Sequence, residues 1–201
     1  MKQLPKERIH EYWRKPGDAG NQPEAYLKPQ ERSVFLVGLV RKYASPEARI
    51  MEIGCNVGRN LHHLYASGFR NLEGDEISEE AVRQLRLAYP ELAEHLTLYN
   101  APAEDVLPKL EDRRYDLTFT MAVLEHIHYD SEWVFPHIAR ITKGVLITIE
   151  DEKTVSEHHF PRNYAKVFEG LGMRQIEKVS GRRIPGLESR YFVARVFQHR
   201  P

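Results

Sequence analysis

Cysteine is nearly absent. The 201-residue chain has one, Cys55, which excludes an internal disulfide and fits a reducing compartment. Net charge is absent too. Twenty-nine Lys and Arg balance 29 Asp and Glu, so the total does not mark a binder of nucleic acid or of an anionic membrane. No hydrophobic run reaches membrane-spanning length, and the N-terminal MKQLPKERIHEYW lacks the apolar core of a signal peptide. Internal repeats and low-complexity tracts are missing as well. The expectation is a globular cytoplasmic protein without nucleic-acid or membrane partners. Hydrophobic residues, at 41%, suffice for a sizeable core in one domain.

What is present is alternation. Apolar runs at Arg49–Ile53, Asn71–Asp75, Leu96–Asn100, Tyr115–Met121 and Val145–Glu150 read as strands. Helical patterns cover Gln30–Tyr43, Arg59–Ala66, Ser78–Tyr89, Ala103–Leu110, Glu132–Ile141 and Pro161–Leu171. Strand and helix alternating at this spacing predict an α/β fold, a parallel sheet with helices on both faces. The tail differs: GMRQIEKVSG and SRYFVARVFQ are two strands with no helix between them, so they are expected to pair as an antiparallel hairpin. Residues 1–29 are polar and punctuated by KPGDAGNQP. They are expected to form a separate segment with a short helix, ahead of a main domain over residues 30–201.

The stretch RIMEIGCNVGRN turns from strand to helix through a glycine-bearing loop, which exposes backbone N–H groups at a helix N-terminus. The dinucleotide fingerprint G-x-G-x-x-G fails, because Arg59 occupies its third glycine position. The glycine-type positions are instead Gly54, Asn56 and Gly58, and asparagine best replaces glycine at positive φ. Arg59 itself is read as a surface residue, with closure over the site as the alternative. About twenty residues on, Asp75 and Glu76 end the second strand, where a carboxylate can accept hydrogen bonds from both hydroxyls of a ribose.

At this point the chain resembles class I S-adenosylmethionine-dependent methyltransferases. MEIGCNVGRN is similar to their first motif, E/D-x-G-x-G-x-G, and LEGDEIS to their second, G-x-D-x-S. NAPAEDVLP resembles the adenine-lining segment and YDLTFTMAVLEHI the end of the fourth strand. The resemblance implies a Rossmann-like, doubly wound sheet of seven strands, five parallel plus a C-terminal antiparallel hairpin. It also implies S-adenosylmethionine as cofactor, with S-adenosylhomocysteine as product. Cofactor contacts would come from Glu52, Gly54, Asn56, Gly58, Asp75, Glu76, Ala103, Glu104 and Met121. Pro102 departs from the aspartate many relatives carry near the adenine.

Methyl transfer rests mainly on holding nucleophile and methyl in line. Glu125, His126 and His158, at the carboxyl ends of the fourth and fifth strands, are the candidate catalytic groups. Read as helical, His126 and His128 would point to opposite sides, leaving one of them at the site. Arg162 and Tyr164 either contact the acceptor or belong to a polar loop. None of the ten histidines shows zinc-ligand spacing with a defined third ligand, so no metal site is expected. Tyr12, Trp13 and Tyr26 suit a lid over the site. The absence of an N-P-P-Y type sequence favours a small-molecule acceptor, methylated on oxygen or nitrogen. A non-catalytic cofactor-binding partner or sensor, an RNA or protein methyltransferase, and a nicotinamide enzyme are the competing readings; Arg59 argues against the last.

Overall fold

The computed structural model describes residues 3–17, 19–28, 30–187 and 189–200. Seven strands form one sheet in the order β3-β2-β1-β4-β5-β7-β6. They are β1 Ile50–Ile53, β2 Leu72–Asp75, β3 Thr97–Tyr99, β4 Tyr115–Met121, β5 Thr142–Asp151, β6 Met173–Ser180 and β7 Phe192–His199. The first five are mutually parallel, and β7 runs antiparallel to both β5 and β6. The expected hairpin is therefore present. Because β7 inserts between β5 and β6, β6 shares the direction of the first five strands and only β7 is reversed.

Each element has a local cause. Strand β1 is buried along its whole length, as a central parallel strand must be. Its side chains alternate between two cores. Ile50 joins Leu36, Val40, Leu61, Leu85 and Phe119 on one face, while Met51 and Ile53 join Tyr115, Leu124, Ile138, Phe168 and Phe197 on the other. Helix α1 spans Lys6–Arg14 and α2 Gln30–Tyr43; α3 is Arg59–Ala66 and α4 Glu79–Ala88. Ser78 caps α4, its hydroxyl accepting from the Ala81 N–H at 3.2 Å, with Glu79 and Glu80 at the positive end of the helix.

A short helix α5, Pro90–His95, was not expected. Tyr89-Pro90 looks like a stop, but a proline at the first helical position loses no hydrogen bond and restarts the chain. The remaining helices are α6 Ala103–Val106, α7 Val134–Ile141 and α8 Tyr164–Gly170. No helix among the described residues is long and apolar enough to cross a membrane.

Candidate active site

The strand order reverses between β1 and β4, and open α/β sheets bind ligands outside the carboxyl ends at such a point. A cavity lies there, with about 1100 Å³ of space, part of it open to solvent. The ends of β1, β2, β3 and β4 form its floor, through Gly54–Val57, Glu76–Ser78, Pro102–Glu104 and Met121–Val123.

The β1–α3 loop is built on three left-handed residues: Gly54 at φ 67°, Asn56 at 48° and Gly58 at 70°. Asn56 thus takes a glycine's conformation, and its side-chain oxygen accepts from the Val57 N–H at 2.8 Å. The two true glycines also have no room. A Cβ at Gly54 would stand 2.7 Å from both Val123 methyls, and one at Gly58 2.5 Å from Leu85 Cδ1. Gly58 packs against Leu85 and caps α3; it supports the loop without lining the cavity.

The cavity's floor is acidic. Glu76 is buried, its carboxylate accepting from the Asn56 N–H at 2.8 Å and the Ser78 N–H at 2.7 Å. Burial pushes its pKa up to about 7 despite those N–H donors. Glu52 accepts from the Asn60 side-chain amide at 2.7 Å through Oε1, while Oε2 is buried without a partner. Burial pushes Glu52 to about 8. Asp75 also holds a buried, unpartnered oxygen, and burial beside the Glu76 charge raises it well above the usual carboxylate range. Buried polar atoms ordinarily have partners, so two orphaned carboxylate oxygens in one cavity wall suit a polar, positively charged ligand. Ala103, Glu104 and Met121 line the same space.

Arg59 is not a surface residue. Its guanidinium is buried and donates to the Ser33 hydroxyl and the Tyr26 carbonyl, both at 2.8 Å. Those bonds tie α2 and the N-terminal segment to the loop. The sequence signal was the non-glycine at the fingerprint's third glycine position, where a longer side chain turns toward the ligand space.

The N-terminal segment also lines the cavity, with Ile9, His10, Trp13 and Tyr26 on its wall. His10 Nε2 lies 3.0 Å from Glu104 Oε1, anchoring α1 to α6. The Trp13 ring sits 4.3 Å from that of His126, and Tyr12 stacks on His158 at 4.7 Å.

Glu125, His126 and His158 are brought together, but only His126 lines the cavity. Glu125 is buried behind it, and burial next to Glu150 raises its pKa. His126 is lowered to about 3 by burial, so its ring is neutral at ordinary pH. Its Nδ1 lies 2.7 Å from the His158 carbonyl oxygen, which fixes the proton on Nδ1 and the lone pair on Nε2. The helical reading of this stretch fails. Leu124–His126 form one 3₁₀ turn, Ile127 is extended, and both His126 and His128 face the cavity. Arg162 and Tyr164 lie outside it: Arg162 is buried against the Ile127 and Phe160 carbonyls, and Tyr164 is fully buried.

Comparison with known proteins identifies the family and the fold. Residues 25–183 match the family described as methyltransferase domain. A comparison with curated proteins finds no match. Among solved structures, the chain is similar to geranyl diphosphate C-methyltransferase from Streptomyces coelicolor A3(2), with TM-score 0.72 at 11% identity over 97% of this chain and 98% of that one. It is also similar to magnesium protoporphyrin IX methyltransferase from Synechocystis PCC 6803, solved with bound S-adenosylhomocysteine, with TM-score 0.71 at 15% identity over 96% and 98%. A third similar structure is the 1,6-didemethyltoxoflavin-N1-methyltransferase of Burkholderia thailandensis, with TM-score 0.71 at 13% identity over 98% and 87%. At these identities the structural likeness is one of fold, and the family match carries the assignment. The chain belongs to the methyltransferase domain family, on the Rossmann-like fold of class I S-adenosylmethionine-dependent methyltransferases.

Proposed function

We propose that this protein transfers a methyl group from S-adenosylmethionine to an oxygen or nitrogen of a small-molecule acceptor, releasing S-adenosylhomocysteine. The observation that carries the reading is the acidic wall with its orphaned oxygens at the carboxyl ends of β1 and β2. The cofactor supplies a methyl carbon already activated on a positively charged sulfur. Glu52 would face its positive groups, Glu76 would accept from the ribose hydroxyls with Asp75 beside it, and Ala103 and Glu104 would border the adenine. Gly54, Asn56 and Gly58 shape the loop that lets backbone N–H groups reach the methionine carboxylate, and Arg59 is the nearby cation. Met121 lines the same cavity.

On the acceptor side the wall is His126, with Glu125 and His158 behind it. Held by the His158 carbonyl, the His126 ring is a fixed wall against which an acceptor packs, and fixing the acceptor is the main demand of an in-line displacement. Trp13 and Tyr12 exclude water from that side, the role of a lid. The aromatic-walled cavity and the zero net charge support a small molecule over a nucleic acid.

The test is to incubate the protein with S-adenosylmethionine and panels of small phenols, carboxylic acids and amines, and to measure S-adenosylhomocysteine formation by mass spectrometry. Formation dependent on one panel member supports the reading. Formation only with RNA or protein as acceptor would replace it.

A further inference from the structure

Glu125 and His126 leave β4 in one 3₁₀ turn, and His159 stands on the loop after β5, 33 residues further along. Their ligand atoms converge. Glu125 Oε1 lies 3.8 Å from His126 Nε2 and 3.7 Å from His159 Nε2, and the three atoms lie within 4.8 Å of one another. These separations are too long for hydrogen bonds, which close at about 2.7–3.2 Å. They approach the edge of a coordination tetrahedron instead. Two ligands each about 2.0–2.2 Å from a zinc ion stand roughly 3.3–3.6 Å apart.

The far side of each ligand is already held. His126 Nδ1 meets the His158 carbonyl at 2.7 Å, and His159 Nδ1 meets the Ser156 hydroxyl at 2.6 Å. Glu125 Oε2 accepts from the Asp151 N–H. The Nε2 lone pair of His126 is therefore free, and so is that of His159 in the tautomer whose Nδ1–H donates to the Ser156 hydroxyl. Such outer partners orient ligating histidines and carboxylates in metal centres.

Charge points the same way. Glu125, Glu150 and Asp151 are all buried at the end of β5, and among the described residues no Lys or Arg pairs with Glu125 or Glu150. Neighbouring buried carboxylates without a cation are costly. Glu150 is satisfied by the Thr120 hydroxyl and the Val123 and Glu125 N–H groups, whereas Glu125 Oε1 lies beside the two imidazoles at 3.8 and 3.7 Å.

We propose that Glu125, His126 and His159 bind one divalent transition-metal ion behind the acceptor wall of the cavity. Two imidazoles and one carboxylate suit zinc, cobalt or iron(II) over magnesium or calcium, which favour all-oxygen sets. Three protein ligands leave a further position open for water or for an acceptor oxygen. That last consequence rests on the methyl-transfer reading; metal binding itself does not. The site escaped the sequence because its ligands come from two strand ends, with no local spacing to betray them.

The test uses the untagged full chain, stripped with chelator and titrated with Co²⁺. One equivalent should bind, with visible d–d absorption that Zn²⁺ abolishes. His159→Ala, a change on a loop, should weaken Co²⁺ and Zn²⁺ binding more than tenfold while S-adenosylhomocysteine affinity, by calorimetry, stays within twofold. Glu125→Gln should weaken the metal equally, its thermal unfolding serving as the check on folding. Failure of the folded wild-type chain to bind either metal, or unchanged binding in His159→Ala, would overturn the proposal. In parallel, intact metal binding with no S-adenosylhomocysteine binding would instead overturn the cofactor reading, so the two failures are distinguishable.

Discussion

The side-chain amide of Asn60 donates to Glu52 Oε1 at 2.7 Å, and the other oxygen of the same carboxyl is buried without a partner in the cavity wall. Asn60, in the first turn of α3, thus steadies the group proposed to meet the cofactor's positive charge.

Burial holds Glu52 near 8 and Glu76 near 7, so both carry much of a proton at neutral pH when no ligand is bound. A cation favours the ionised forms. Affinity for S-adenosylmethionine is therefore expected to rise between pH 6 and about 8.5, with protons released on binding. Calorimetry in buffers of different ionisation enthalpy reads that release directly, and pH-independent affinity with no release would contradict it. The stability term has the opposite sign. The unfolded carboxyls ionise near 4.5, so their contribution is complete below that pH and lost as pH rises through 7 and 8.

Glu76→Ala removes the acceptor proposed for the ribose hydroxyls. Cofactor affinity should fall at least tenfold, or about 1.4 kcal/mol. Unchanged affinity by calorimetry would take Glu76 out of the site.

The loop makes a paired prediction about stability. Asn56→Gly should be tolerated, since the position already sits at φ 48°. Gly58→Ala meets both a positive φ and Leu85, and should cost roughly 1–3 kcal/mol. For a chain of this size that lowers the unfolding midpoint by roughly 2–4 °C per kcal/mol. Equal midpoints for the two variants would show that the loop relaxes freely.

Trp13 covers His126, and Trp13→Ala opens that side of the cavity to water. Affinity for S-adenosylhomocysteine should drop about three- to tenfold, roughly 0.7–1.4 kcal/mol, with faster dissociation in stopped-flow measurements. Identical dissociation kinetics would reduce the N-terminal helix to packing.

Much of the fold was legible because its elements are locally consistent: continuous apolar runs for buried parallel strands, a serine cap on α4, and no helix pattern between the last two strands. Helix α2 and strand β4 match their expected bounds, Gln30–Tyr43 and Tyr115–Met121. The misses have physical causes. Pro90 starts a short helix where the sequence reading placed no element, and β5 starts at Thr142, earlier than the apolar run suggested. At the candidate site, the loop and the acidic groups were visible because they lie on consecutive residues. Arg59's burial, the His10–Glu104 contact and the meeting of His159 with Glu125 depend on tertiary approach, which no local spacing encodes.

The central claim is tested most directly by thermal unfolding with S-adenosylhomocysteine, against NAD as control. A ligand at a hundred times its dissociation constant stabilises by about 2.7 kcal/mol. For this chain length the midpoint should rise by roughly 5–10 °C with S-adenosylhomocysteine and not with NAD. No shift with S-adenosylhomocysteine, and no heat of binding by calorimetry, would contradict the account.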